Sequence, residues 1–419
     1  MNLRPGMTSD QCLKCNICTA ACPVAAVTDL FPGPKAVGPQ AERYRHPLLP
    51  MPDESVSYCS GCGTCTRVCP HGVAVAETNI QAKARLVEER HAPLRDQLLS
   101  RPELLGKLAS PFAPLANYAL KVKPLRWALD KTVGISTGAA LPPFDSRPLR
   151  RREAARCVRV PPQVSGKRLV AYFHGCSTNY CEPDLGQQAI AVLEALGCEV
   201  ILPPQKCCGL PLQSNGLFDA ARKQGRENVR MLLPFAQAGI PIVGTSSSCM
   251  LELKHEYQAV LGLEGEDVEQ VAHACYDMFE YLTLELEENV KGLQFNPVEA
   301  VTFYHPPCQL RNHGIGMPAL QVLRMIPGLD VHLSEEACCG VAGTYGAKSE
   351  KYPIARAVGQ TLFDAVESCG AEFVISDTET CRWWIAEHTH LPNYHPIEVV
   401  ARSLGLSVDP KDDVIAARA

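Results

Sequence analysis

Two short stretches, QKCCGLP at residues 205–211 and EACCGVAG at 336–343, each place two cysteines side by side. Neighbouring cysteines are poorly placed to bond each other, because a disulfide requires a particular Cα separation and dihedral. Two adjacent thiolates directed into one metal site is the better reading. The pairs also belong to a larger pattern. Cys176, Cys207, Cys208 and Cys249 are matched by Cys308, Cys338, Cys339 and Cys381, each 131 or 132 residues later. Repetition at that scale indicates duplication of a whole domain. Each copy then gathers four thiolates, enough for one iron–sulfur cluster. Zinc bound by four cysteines is the structural alternative, and buried cysteines that pack as small hydrophobes are the plainest one.

A second kind of cysteine run lies near the N-terminus. CLKCNICTAACP (12–23) and CSGCGTCTRVCP (59–70) both follow C-x2-C-x2-C-x3-C-P. In this bacterial ferredoxin run, three cysteines hold one [4Fe–4S] cluster and the fourth crosses to the other. The expected ligand sets are Cys12, Cys15, Cys18 and Cys69 for the first cluster, and Cys59, Cys62, Cys65 and Cys22 for the second. A pair of zinc knuckles is the competing reading; two complete copies, each followed by proline (Pro23, Pro70), weigh against it. The 24–58 insert, with FPGPKAVGPQAERYRH, is long for a ferredoxin loop and serves as a cluster shield, a docking surface or an ordered connection.

The elements that must position the paired cysteines can be read from the flanking pattern. LVAYFHGC and AVTFYHPPC are short buried strands ending just before a cysteine. A helical segment follows in each copy (LGQQAIAVLEAL; ALQVLRMI), then a second strand (CEVILP; LDVHLS), then the Cys-Cys-Gly (CCG) loop. A longer helix (LFDAARKQGRENVRMLLPFAQAG; YPIARAVGQTLFDAVESCG) leads to a third strand (IPIVGTS; AEFVIS) and the last cysteine. Alternating strands and helices predict a parallel sheet covered by helices. Ligands in such sheets bind beyond the carboxyl ends of the strands, where every repeat cysteine falls. His174 and His305 sit just before Cys176 and Cys308, as cluster- or quinone-tuning groups or as satisfied structural histidines. Cys157, Cys181, Cys198, Cys275 and Cys369 have no counterpart and read as buried or incidental thiols.

The bulk numbers restrict the rest. The chain has 419 residues, 46% hydrophobic and 20% charged, with a formal net charge of −5. That length accommodates two to four domains of about 100–200 residues. Nothing in it has the basic character of a nucleic-acid-binding domain. Twenty-one cysteines in so long a chain do not describe a small disulfide scaffold. The N-terminal MNLRPGMTSDQC lacks the apolar core of a secretory signal, and no apolar run reaches the roughly 18–20 residues that cross a bilayer. The expected location is the cytoplasmic membrane face, by peripheral attachment.

Residues 93–165 carry neither cysteine motif. Leu104, Leu108, Phe112, Leu115, Ala119 and Val122 recur at helical spacing, beside Lys107, Lys121, Lys123, Arg126 and Lys131, with Tyr118 and Trp127 suited to a lipid interface. The segment either lies on a membrane surface or packs the ferredoxin part against the CCG part. Pro111, Pro114 and Pro124 divide it into short pieces. Arg147, Arg150, Arg151, Arg152, Arg156 and Arg159 follow, as an attractor of anionic headgroups or a solvated linker.

Taken together, CLKCNICTAACPV, FPGPKAVGP, SPFAPLAN, YFHGC, KCCGLPLQSNG, TSSSCM, CCGVAGTYG and SDTETCRW span the chain from Cys12 to Trp383. They resemble the iron–sulfur CCG-domain family. Its members include the iron–sulfur subunit of glycolate oxidase, the CCG-bearing subunit of heterodisulfide reductase and, most similar, the iron–sulfur subunit designated C in anaerobic glycerol-3-phosphate dehydrogenase. The resemblance implies a multidomain α+β and α/β fold. An N-terminal helical domain for two [4Fe–4S] clusters (1–92) precedes a helical, basic linker (93–165). Two tandem α/β CCG domains with parallel sheets follow (166–295 and 296–408).

The implied function is electron transfer from a flavoprotein dehydrogenase that oxidises sn-glycerol 3-phosphate to membrane menaquinone, in anaerobic respiration. This chain would be a non-flavin subunit, since no G-x-G-x-x-G opens a strand–helix unit. Alternatives are the iron–sulfur subunit of a D-lactate or glycolate oxidase and a heterodisulfide-reductase-like thiol–disulfide reductase. The chain departs from the last pattern, whose CCG domains end in CxxC: Ser246 and Thr378 stand where a fifth thiolate would be. Beyond the two ferredoxin clusters, each CCG domain is expected to hold one more cluster or a zinc ion.

Overall fold

The computed structural model describes residues 5–46, 48–162 and 166–406. Two four-stranded sheets dominate the second half. The strands are β1 (Arg168–Tyr172), β2 (Cys198–Ile201), β3 (Ile242–Gly244), β4 (Cys275–Asp277), β5 (Ala300–Tyr304), β6 (Leu329–Leu333), β7 (Phe373–Ile375) and β8 (Asn393–Tyr394). The first sheet runs β2-β1-β3-β4 and the second β6-β5-β7-β8, with every pair parallel. The two orders are identical position for position, as duplication predicts. Strands buried on both faces should read as continuous apolar runs, and Leu169–Tyr172 does so.

Three strands per repeat follow the sequence pattern; β4 and β8 add a fourth. They are three and two residues long, too short to show a period of two. Each extends the sheet beside the strand that delivers the last cysteine, Val243 pairing with Tyr276 and Ile375 with Tyr394.

The repeats share one apolar core. Leu185, Ile190 and Leu193 of helix Pro183–Ala195 pack in one cluster with Ile397, Val400 and Ala401 of helix Pro396–Ser403. A buried ion pair crosses the same boundary, with the Arg382 guanidinium donating to both carboxylate oxygens of Glu182 at 2.6 and 3.0 Å. The ferredoxin part is wedged against the opposite faces by helix Val75–Arg90. Its Ile80 and Ala84 join the core of the first repeat, and its Ala82 and Leu86 that of the second.

The 93–165 segment forms helices Leu94–Leu99, Pro102–Ala109, Ala113–Lys121 and Lys123–Val133. The prolines that divide it open helices, standing in the first turn where no amide hydrogen bond is lost. Part of the basic stretch is engaged locally. Arg152 pairs with Asp145 and Asp184, and Arg156 with Glu153 and Glu194, which favours the linker reading for those two side chains over lipid attraction.

Candidate iron–sulfur centres and the cavity between them

Both ferredoxin runs fold into the same tight loop and a single helical turn, Ile17–Ala20 and Thr64–Arg67. The second run has left-handed glycines at Gly61 and Gly63, φ 71° and 75°; the first has Lys14 and Asn16 at the matching positions, φ 62° and 74°. The loop conformation is therefore demanded by its geometry, at a cost of about 1–2 kcal/mol for each side chain that must adopt it.

The cysteines regroup crosswise. Cys12, Cys15, Cys18 and Cys69 line one small cavity, and Cys22, Cys59, Cys62 and Cys65 line another. Cys15 is exposed and Cys12 and Cys69 half-buried, whereas all four of the second set are buried. Burial pushes the Cys22 thiol up to about 12, so an unliganded thiolate would be costly there.

Two buried lysines, Lys83 and Lys351, act on the second set, and a third, Lys348, acts on both of them; nothing in the sequence pattern marks them. Lys83 Nζ donates to the Cys59 carbonyl at 3.2 Å and Lys351 Nζ to the Ser57 carbonyl at 2.5 Å. Lys348 Nζ donates to Asp96 Oδ2 at 2.8 Å and Asn215 Oδ1 at 2.6 Å. Burial lowers all three, Lys83 to about 8; the charge of Lys348 adds to the effect on Lys83, and those of Lys83 and Lys348 to the effect on Lys351. Buried cations need anionic company, and only Lys348 has a bonded carboxylate among the described residues. A metal centre held by four thiolates is net negative, so the donor set and its surroundings fit one.

The paired cysteines occupy the carboxyl ends of the strands. Cys176 follows β1, Cys207 and Cys208 follow β2, and Cys249 lies in helix Ser247–Leu251 after β3. Cys308 opens helix Cys308–Asn312 after β5, Cys338 and Cys339 follow β6, and Cys381 lies in helix Glu379–Thr389 after β7. Cys176 and Cys207 Sγ are 3.8 Å apart, and Cys339 and Cys381 Sγ 3.0 Å. Neighbouring thiols hold Cys207 and Cys338, the first of each pair, well below the ordinary thiol range. Cys208 and Cys339 are driven up.

The glycine of each CCG unit is left-handed, Gly209 at φ 103° and Gly340 at φ 94°. That turn follows the two adjacent cysteines and passes tightly under helix Tyr352–Ser368 in the second copy, where a Cβ on Gly340 would lie 2.1 Å from the Ala355 carbonyl oxygen.

The histidines are not equivalent. A His305 ring nitrogen and the Cys339 and Cys381 sulfurs lie within 4.8 Å of one another. Its Nδ1 bonds Ser334 Oγ at 3.1 Å, and Nε2 is buried without a partner among the described residues. His174 Nδ1 bonds its neighbour's carbonyl, Gly175 O, at 2.5 Å, and its Nε2 is likewise buried without a partner among the described residues. Burial lowers both, to about 4 and about 3, so both are neutral at pH 7. Thr378 Oγ1 lies 3.4 Å from Ser248 Oγ across the two repeats. Of the unmatched cysteines, Cys198 and Cys275 are buried in strands, Cys157 and Cys369 are half-buried, and Cys181 stands at the edge of the site.

All eight CCG cysteines line a single cavity of about 420 Å³, which Cys59 and Cys62 of the ferredoxin part also reach. The second ferredoxin set and the second CCG set adjoin: the charges of Cys62 and Cys338 act on each other, as do those of Cys308 and Cys62. Asn312 Nδ2 ties the two by donating to the Cys62 carbonyl at 3.1 Å.

The helical segment covers the cavity. Leu98, Leu99, Leu105, Leu120 and Leu129 line it, and Glu103 Oε2 pins the first CCG loop by accepting from Cys207 N at 2.9 Å. The other side of the same helices is bare: Leu104, Leu108, Phe112, Leu115, Tyr118 and Trp127 are all exposed. The packing reading thus accounts for the inner face, and the membrane reading remains for the outer one.

Comparison with known proteins agrees with this architecture. Residues 8–73 match the 4Fe-4S dicluster domain, and residues 170–254 and 302–386 each match the cysteine-rich CCG domain. The chain is 38% identical over 397 residues to the subunit designated C of the anaerobic glycerol-3-phosphate dehydrogenase of Escherichia coli strain K12, covering 94% of this chain and 98% of that one. It is 25% identical over 389 residues to the subunit designated B of the fumarate reductase (CoM/CoB) of Methanothermobacter marburgensis, covering 90% and 67%. It is 23% identical over 441 residues to the subunit designated D of the dihydromethanophenazine:CoB–CoM heterodisulfide reductase of Methanosarcina acetivorans, covering 96% of each.

Proposed function

Because the chain belongs to the family of the anaerobic glycerol-3-phosphate dehydrogenase subunit designated C, we propose that it is the electron-transfer subunit of such a complex. In this reading it receives electrons from a flavoprotein that oxidises sn-glycerol 3-phosphate and delivers them to menaquinone at the cytoplasmic membrane face. Iron–sulfur clusters, when bound, supply one-electron carriers at the thiolate sets. Cys12, Cys15, Cys18 and Cys69 would hold the first, and Cys22, Cys59, Cys62 and Cys65 the second. The sets Cys176, Cys207, Cys208, Cys249 and Cys308, Cys338, Cys339, Cys381 would hold one each.

The observation that carries this reading is the continuity of the sets. The first ferredoxin set reaches the surface at Cys15, the second is buried beside Lys83 and Lys351, and the second adjoins the CCG set of Cys308, Cys338, Cys339 and Cys381. The protein's own part is to bury the inner sets and to keep water from them under helices 94–133. No helix among the described residues is long and apolar enough to cross a membrane. Attachment would use the outer face of Leu108, Phe112, Leu115 and Trp127, with Lys107, Lys121 and Lys123 beside it. Ser246 and Thr378, in place of fifth thiolates, speak against disulfide-cleaving chemistry of the heterodisulfide reductase kind.

The test is purification of the chain together with its partner subunits under anaerobic conditions. Added sn-glycerol 3-phosphate should reduce the iron–sulfur signals seen by low-temperature EPR. If D-lactate or glycolate reduces them and glycerol 3-phosphate does not, the substrate assignment is wrong.

A further inference from the structure

One group on the cavity wall has no role in holding a cluster. Glu256 is half-buried and lines the cavity, accepting a hydrogen bond from Gln213 Nε2. Four residues earlier, Glu252 is fully buried, and neither of its carboxyl oxygens meets a hydrogen-bond donor among the described residues. Its neighbour is the carboxyl of Glu256, so the two can be joined only by a shared proton. Both lie on one π-helical turn, Glu252–Glu256, a distortion frequent at functional sites. The groups facing the pair are Gln213, Glu77 of helix Val75–Arg90 and, on the Glu252 side, Cys249 and Cys207. Burial raises both carboxyls; Glu256 adds to the rise at Glu252, whereas at Glu256 the hydrogen bonds with Glu252 and Gln213 work against it.

Away from the cysteines, the cover side of the cavity is apolar. Leu98, Leu105, Leu129, Ile135 and Phe144 face it, and Leu98 is also 40% exposed on the outer surface. The cover is thus one helix thick between the cavity and the bare apolar face. A pocket of this size, mostly apolar with a few polar groups, suits a small flat hydrophobic molecule.

We propose that this cavity is where a lipid-soluble quinone is reduced, and that Glu256 donates a proton to one of its carbonyl oxygens. The inference rests on the electron-transfer function proposed above and adds the site and the proton source. The reaction balances as quinone plus two electrons plus two protons giving quinol. The electrons come one at a time from reduced iron–sulfur centres, fed by the partner dehydrogenase. Glu256 supplies the proton for the nearer oxygen and, being the half-buried member of the pair, is itself reprotonated from solvent. The other oxygen takes its proton from water on the open side of the cavity, and no bond to the protein forms.

The test uses the whole complex with two acceptors: menadione, which needs protons to become a quinol, and ferricyanide, which takes single electrons and none. Glu256→Gln keeps the size of the side chain and an acceptor for Gln213. It should lower kcat for menadione by about 100-fold, the usual worth of a positioned general acid. Ferricyanide reduction, iron content and menadione affinity measured by equilibrium dialysis should stay as in the wild type. Ala140→Phe, which fills the cavity from the cover, should instead weaken menadione binding in dialysis at least tenfold. An unchanged menadione rate in Glu256→Gln, or an equal loss with both acceptors, overturns the role of Glu256. Unchanged binding in Ala140→Phe overturns the site. A wild-type complex that reduces ferricyanide but never menadione refutes the quinone function itself.

Discussion

The two CCG repeats have the same strand order and the same four cysteines, yet their surroundings have diverged. The first set lies near a buried carboxyl pair, Glu252 and Glu256, and its loop is pinned by Glu103. The second has His305 beside Cys339 and Cys381, and adjoins the ferredoxin cysteine Cys62. Duplication therefore preserved the thiolate scaffold while the neighbouring elements assigned it two tasks. In the functions proposed above, the second site would take the incoming electrons, and the first would lie beside the proton donor.

That asymmetry predicts unequal effects from equivalent substitutions. Cys339→Ser should interrupt the route at its junction with the ferredoxin part, so that glycerol-3-phosphate-dependent reduction of the first CCG site falls at least about 100-fold, followed by freeze-quench EPR. Cys208→Ser should remove the signal of the first site and leave reduction of the second intact. Equal loss of both signals in both variants would break the proposed order.

The glycines give the next largest effect, on stability. A Cβ at Gly340 meets the Ala355 carbonyl oxygen at 2.1 Å, whereas at Gly209 the nearest atom is the Ala221 carbonyl oxygen at 3.7 Å. Gly340→Ala should cost about 3–5 kcal/mol, from overlap plus left-handed strain. Gly209→Ala should cost only the strain, about 1–2 kcal/mol. Denaturant unfolding of the two variants side by side checks the difference.

A smaller contrast is expected at the histidines. His305→Leu removes a ring close to two cysteine sulfurs and should favour the oxidised form of the second site by about 1.5–3 kcal/mol, the usual worth of a hydrogen bond to a charged group. His174→Leu should leave the potential of the first site unchanged, since among the described residues only His305 groups with two cysteine sulfurs. Redox titration monitored by EPR separates them. The smallest effect concerns the outer surface. Phe112→Glu together with Leu115→Glu should reduce binding to lipid vesicles in a flotation assay without changing iron content, since both side chains are exposed.

Much of this was legible in the sequence, because the cysteine motifs are local. C-x2-C-x2-C-x3-C-P and the CCG units fall within a dozen residues, and β1, β2, β3 and their counterparts announce themselves as apolar runs before a cysteine. The fourth strands escaped because two or three residues carry no periodic signal. The polar surroundings escaped for a different reason. Lys83, in helix Val75–Arg90, meets Lys348 and Lys351 of a turn region hundreds of residues away, and each lysine by itself reads as a solvated charge. Glu252 and Glu256 read, in LELKHE, as the ordinary acidic face of a helix; only the packing of helix Leu210–Ser214 and the ferredoxin part around them turns that face inward. The cavity likewise is a product of three separate segments meeting, which no local window contains.

The central claim is that all four thiolate sets hold iron–sulfur clusters. Iron and acid-labile sulfide should be measured, with low-temperature EPR, on anaerobically purified wild type and on the Cys208→Ser, Cys339→Ser double variant. The account predicts about sixteen irons in the wild type, falling to about eight in the variant. About eight irons in both would confine the clusters to the ferredoxin part and contradict the assignment of the paired cysteines.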